Sequence, residues 1–167
     1  MGLWAKIKGW LNIGGVKVLL WKYTEPLSKS SPVITGGVLL KSKSDKTVTS
    51  LEVKVIEEFT TTEGEGEGDD KKSKTETTVL GSTKFPEHDA GVGYPFELKA
   101  GENKEQPFTV DVFLNDRLQN YGGMLGSVGK LAAWAAKEKL EYFLVAEASV
   151  KGAAFATSDK KKIKIGP

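Results

Sequence analysis

The single histidine, His88, lies in FPEHDAGVG between Glu87 and Asp89. An imidazole flanked by carboxylates is an arrangement that proton shuttles and cation ligands use. One histidine in a chain without cysteine cannot build a recognisable zinc site. In this polar, Gly-bearing stretch the residue reads as a solvated loop position. Serine is plentiful, but no G-x-S-x-G occurs, and Gly81-Ser82 alone makes no nucleophile elbow.

Carboxylates cluster once, at Glu63, Glu65, Glu67, Asp69 and Asp70. Hard cations favour such groups. Here glycines alternate with the acids, so the ligands lack fixed geometry, and no EF-hand spacing is present. Lys71, Lys72 and Lys74 follow and partly neutralise the cluster, which reads as a hairpin tip. The same GEGEG resembles a phosphate-binding glycine loop only in composition, because its acidic surroundings repel phosphate and no Lys-Ser or Lys-Thr follows at P-loop spacing. YGGMLGSVGK offers backbone N–H groups ahead of a helix, but reads rather as a flexible lead into that helix. Glu57 and Glu58 adjoin along a strand, so they face opposite sides and form no acid–base pair. We therefore expect no catalytic residue, no metal and no cofactor, and a protein that is not an enzyme.

The 167 residues are 39% hydrophobic and 28% charged, which suits one globular domain. Basic residues number 24 against 22 acidic ones, a net charge of +2, and the only arginine is Arg117. Nucleic-acid readout leans on arginine and on a basic field, so no nucleic-acid partner is expected. Cysteine is absent, which suits a reducing compartment. No apolar run is long enough to span a bilayer. Lys6 and Lys8 interrupt the N-terminal apolar stretch, which argues against a signal peptide. Lys6 also stands where a myristoylation signal needs Ser or Thr. The expected location is the cytoplasm, possible contact with the membrane periphery included.

The elements follow from periodicity. Over residues 2–12, Leu3, Trp4, Ile7, Trp10 and Leu11 fall within an arc of about 120° on a helix. Gly14 and Gly15 end that segment. The period then becomes two. VKVLLWKY sets Val16, Val18, Leu20 and Lys22 against Lys17, Leu19, Trp21 and Tyr23. PVITGGVLLKS is a second strand, where Gly36 and Gly37 mark a bulge or close packing. VTSLEVKVIEEFTT is a long strand with Val48, Leu51, Val53, Val55 and Phe59 inward, and the slip between Val48 and Leu51 marks a bulge. TETTVLGSTKF pairs back to it. YPFELKAGENKEQPFTVDVFL holds two short strands, with Pro107 just ahead of the second. Residues 124–140 repeat Leu125, Val128, Leu131, Ala132, Ala135 and Ala136 at helical spacing and read as a late helix. YFLVAEASVKGAAFA and KKKIKI resume as strands. Seven or eight strands at short spacing give a mainly β chain, an antiparallel β-sandwich with a short N-terminal amphipathic helix and one late helix.

The stretches PVITGGVLLKSKSDKTVTSLEVKVIEEFTT, YPFELKAGENKEQPFTVDVFL and YFLVAEASVKGAAFATSDKKKIKI resemble the N-terminal domain of arrestin-like proteins, most nearly the bacterial sporulation-control branch. The resemblance covers roughly residues 16–166. It rests on apolar pattern and turn placement and carries no catalytic signature. With the helix read from periodicity, the domain division is 1–15, the amphipathic helix and linker, and 16–167, the arrestin-like sandwich that the resemblance implies. The resemblance also implies a regulatory protein-binding scaffold, in bacterial sporulation or stress control. Two departures stand out. Arrestin-like proteins carry two sandwiches, and this chain has room for one. The buried charged cluster used by vertebrate arrestins has no counterpart around Arg117, in NDRLQN.

The interaction residues expected from this reading are Leu3, Trp4, Ile7, Trp10 and Leu11 on the helix face. Lys6, Lys8, Lys160, Lys161 and Lys162 are candidates for an anionic surface. The helix face has three possible occupants: its own sandwich, a protein partner or second copy, or a membrane surface touched weakly. A lysine-blunted edge strand is the plainer account of Lys160–Lys162.

Overall fold

Alternating burial begins at once in the computed structural model, which describes residues 15–63, 72–86, 94–114 and 139–166. In β1 (Val16–Trp21), Val16, Val18 and Leu20 are buried while the intervening residues face out. The same period runs through β3 (Val33–Ser42), β4 (Lys46–Glu63) and β7 (Asn103–Asp111). The remaining strands are β2 (Leu27–Ser28), β5 (Lys72–Phe85), β6 (Phe96–Leu98), β8 (Lys139–Val150), β9 (Thr157–Ile163) and β10 (Ile165–Gly166). Among the described residues ten strands therefore stand where seven or eight are legible, because β2 and β10 are two residues each.

Two antiparallel sheets enclose the core. One has the order β1-β3-β7. The other runs β5-β4-β8-β9, with β6 paired to the start of β4. β2 and β10 form a short parallel clasp, Leu27 opposite Ile165. Side chains from both sheets meet in one cluster, among them Ile34, Val38 and Leu40 from the first and Leu51, Val53 and Leu144 from the second. Each such burial contributes about 1.5–3 kcal/mol.

The long strand carries the pattern the sequence shows. Val48, Leu51, Val53 and Val55 are fully buried, and the β4–β8 register slips between Val48 and Ser50. A second slip between β4 and β5 leaves Leu80 as the extra residue, since Val55 faces Gly81 and Ile56 faces Val79. Glu57 turns inward and accepts from the Tyr142 hydroxyl at 3.2 Å, while Glu58 turns outward to Lys160.

Other expectations need correction. Pro107 lies inside β7, opposite Gly37, and not ahead of the strand. Proline is tolerated there because β7 is an edge strand and its missing N–H faces away from β3. Lys139 and Leu140 belong to β8, paired with Thr60 and Phe59, so the late helix does not extend to 140. Residues 151–156 form a turn between β8 and β9 rather than continued strand. Lys22 does not join the inward row: it takes a positive φ of 52° and is exposed, its ammonium 4.1 Å from the Trp21 ring centroid. Gly36 and Gly37 mark close packing without a register slip: a Cβ on Gly36 would lie 2.8 Å from Tyr23, and one on Gly37 2.9 Å from the Trp21 indole nitrogen. The helix over 2–12, the rest of the late helix, His88, Arg117 and the Gly-rich tip from 64 to 70 lie outside the described residues.

The two seams between the sheets close differently. At one, Leu20 donates its N–H to Asp159 Oδ2 at 2.9 Å, and Thr157 Oγ1 donates to the Val16 carbonyl at 3.0 Å. At the other, Phe113 donates its N–H to the Leu80 carbonyl at 2.8 Å. Gly15 sits beside Ser44 and Lys46 at one end of the sandwich. Gly166 sits against Pro26 and Leu27 at the other.

Candidate functional site

At the second seam the edges of β5 and β7 touch and then diverge. The bulge at Leu80 aims its carbonyl at Phe113, and Gly81 lets the two backbones meet. A Cβ there would overlap the Asp111 carbonyl oxygen. Beyond this point the strands frame an open cleft of about 550 Å³, lined by Ser82, Thr83 and Phe85 on one side and Pro107, Thr109 and Asp111 on the other, with Phe113 at its mouth. Phe113 is 77% exposed, and Phe85 and Phe108 are buried beneath.

Backbone groups give the cleft its chemistry. In an antiparallel ladder successive residues aim their N–H and C=O to alternate sides. Val112 donates to Pro32, on the β3 side, and Phe113 donates to Leu80, on the β5 side. The odd residues of β7 therefore face the cleft. Pro107 has no N–H, and its carbonyl accepts from Gln106 Nε2 at 2.9 Å. Thr109 thus presents both its N–H and its C=O. This is the donor–acceptor pair that an added strand uses, and the apolar floor suits alternate side chains of such a strand.

The aromatic support beneath is fixed by packing. Tyr94 stacks on Phe85 at 6.0 Å between ring centroids and meets Phe96 edge-on at 5.0 Å. Its hydroxyl donates to Gln106 Oε1 at 3.1 Å. Burial pushes its pKa up to about 12, since the phenolate loses hydration there.

The lysines expected to meet an anionic surface lie on β9. Lys160 pairs with Glu58 and sits 4.2 Å from the Phe143 ring centroid. Lys162 pairs with Glu141 at 2.7 Å, and Lys161 reaches Asp159 at 3.7 Å. Glu141 is held below the usual carboxylate range by hydrogen bonds from Lys139 and Lys162. Each of these cations thus has a carboxylate neighbour. The other predicted contacts, Leu3, Trp4, Lys6, Ile7, Lys8, Trp10 and Leu11, lie outside the described residues. No group of three or more His, Asp or Glu side chains able to hold a metal ion occurs among the described residues.

The cleft is a feature that sequence reasoning missed. Its signals were present: Gly81 interrupts a strand, which often marks close backbone approach, and Phe113 falls on the outward phase of VDVFL. Neither tells which two strands meet.

Two antiparallel sheets of these orders around one core define a β-sandwich. The chain has the fold of Spo0M, the sporulation control protein from Bacillus subtilis, with a TM-score of 0.58 and 18% identity over 93% of this chain. It covers 51% of the Spo0M chain, about half its length. A putative late embryogenesis abundant protein matches 96% of this chain and 80% of its own at 10% identity, with a TM-score of 0.38. A β-glucosidase from Kluyveromyces marxianus matches 89% of this chain and 14% of its own at 13% identity, with a TM-score of 0.31. No family model matches the chain, and no curated protein does.

Proposed function

We propose that this chain is a non-enzymatic, arrestin-like interaction module with a regulatory role. It binds an extended segment of a partner protein along the free edge of β7. The observation that carries this is the cleft edge: Thr109 offers a paired N–H and C=O beside an exposed Phe113, above an apolar floor. A strand added there gains main-chain hydrogen bonds, and its alternate side chains fill the aromatic floor. The fold shared with a sporulation control protein supports a part in bacterial sporulation or stress control.

A photo-crosslinking residue placed at Thr109 in living cells is expected to capture a discrete protein. The same residue at exposed Thr49 captures none. Thr109→Pro removes the N–H and abolishes capture by a crosslinker at Ser82, while the fold persists, as β7 already holds Pro107. Capture that is equal at Thr49, or unchanged by Thr109→Pro, defeats the proposal.

A further inference from the structure

The outer surface of the three-stranded sheet divides by charge. On the five-stranded sheet, lysines facing out are matched: Lys54 reaches Glu147 at 3.2 Å, Lys84 reaches Glu52 at 3.6 Å, and Lys162 reaches Glu141 at 2.7 Å. On the β1–β3 half of the other sheet they are not. Lys17 and Lys41 stand directly opposite each other, both exposed. Like charges so placed destabilise a strand pair. No carboxylate ion-pairs with Lys17, Lys41 or Lys22 among the described residues. Of the carboxylates that face out on this sheet, Asp111 lies on β7, its far edge, while Glu105, paired with Leu39, reaches toward Gly37, its Oε1 2.8 Å from where a Cβ there would lie.

Between the cations lies an apolar strip. Leu19 pairs with Leu39 in the next outward row, and Trp21 covers Gly37 in the row after; Leu19, Leu39 and Trp21 are half-buried. Lys22 adopts its left-handed backbone with its ammonium over the Trp21 ring. The buried Trp21 indole N–H has no acceptor among the described residues. Indole, leucine and lysine on one surface are the residues of a membrane interface, where rings and aliphatic groups enter the headgroup boundary and ammonium groups meet phosphates. The chain that enters β1 has the same composition. Trp4, Trp10, Lys6 and Lys8 precede Val16 by a few residues, joined through Gly14 and Gly15.

We infer that the β1–β3 surface docks on an anionic lipid bilayer. Lys17, Lys41 and Lys22 contact headgroup phosphates, and Leu19, Leu39 and Trp21 rest at the interfacial layer. The inference is independent of the strand-addition reading, because the cleft lies on the opposite edge of the same sheet.

Co-sedimentation of the full chain with vesicles tests it. The protein is expected to bind mixed phosphatidylglycerol–phosphatidylcholine vesicles, to ignore pure phosphatidylcholine, and to dissociate as salt rises. Lys17→Glu with Lys41→Glu is expected to weaken partitioning by roughly twentyfold or more. Lys160→Gln with Lys162→Gln, on the balanced face, is expected to leave it unchanged. Deleting residues 1–13 is expected to leave binding that still depends on Lys17 and Lys41. The Gln pair at 17 and 41 serves as a second variant, and matched thermal unfolding midpoints establish that both pairs fold. Failure to bind the mixed vesicles overturns the inference. So does binding indifferent to Lys17 and Lys41. Lysine-dependent binding of an oligo-glutamate peptide without vesicle binding also overturns it, and reassigns the surface to an acidic protein.

Discussion

Gly81 holds the β5–β7 seam through an atom it lacks. Its neighbour across the seam is the Asp111 carbonyl oxygen, which is backbone and cannot swing aside. Gly81→Ala is expected to destabilise the fold by about 2–3 kcal/mol, because overpacking against a rigid partner forces a strand shift. Gly101→Ala is the contrasting case: its φ is +79° and nothing lies within 4 Å of the added Cβ. Only the backbone conformation resists that change, at about 1 kcal/mol. Urea unfolding of the two variants separates crowding from backbone strain. Tyr94 provides a second residue-scale expectation. Its folded pKa of about 12 exceeds its ordinary value of 10.0, so the unfolded state loses the proton first. Stability is therefore complete below pH 10 and declines as pH climbs toward 12. Absorbance at alkaline pH should show Tyr94 titrating late, with Tyr23 also raised by burial and by Glu25 and Asp159, and Tyr94→Phe should remove the Tyr94 contribution. The same variant strands the buried Gln106 amide oxygen and is expected to cost about 1–2 kcal/mol.

At the scale of elements, the β1–β9 seam depends on side chains where a ladder would otherwise run. Asp159 accepts the Leu20 amide, and Thr157 reaches the Val16 carbonyl. Asp159→Ala is expected to leave the strands in place and speed exchange of the Leu20 amide by about tenfold, the equivalent of roughly 1.4 kcal/mol of local opening. Exchange at Val38, in the middle strand, is the internal control. The strands that were legible are those whose burial has a single phase. The bulge near Val48 was readable because the apolar alternation slips there by one residue. Pro107 was misplaced because proline inside a strand is allowed only at an edge, and edge status depends on the order β1-β3-β7, which no local pattern carries. Leu140 fits the helical row of alanines before it and the strand after it. Pairing with Phe59, far back in the chain, decides for the strand.

For the whole molecule, remote pairing dominates. β4 joins β5, β6 and β8, and β8 lies long after it in sequence. Non-local sheets of this kind fold slowly, on the order of milliseconds to seconds. Stopped-flow refolding is expected to fall in that range, and Leu51→Ala, at the centre of the shared core, to cost about 2–5 kcal/mol at equilibrium. The sandwich class was legible from strand spacing alone, and so was the long central strand. The candidate sites were not. The cleft arises where two edges meet that lie far apart in the chain, and the unmatched lysines of β1 and β3 become conspicuous only once every facing carboxylate has a place.

The positions of Gly15 and Gly166 have a consequence for anything covalently joined to this sandwich. They stand at opposite ends of it. A neighbour attached ahead of β1 and one attached beyond β10 would be held apart by the length of the module, roughly 20 Å for a strand of six residues.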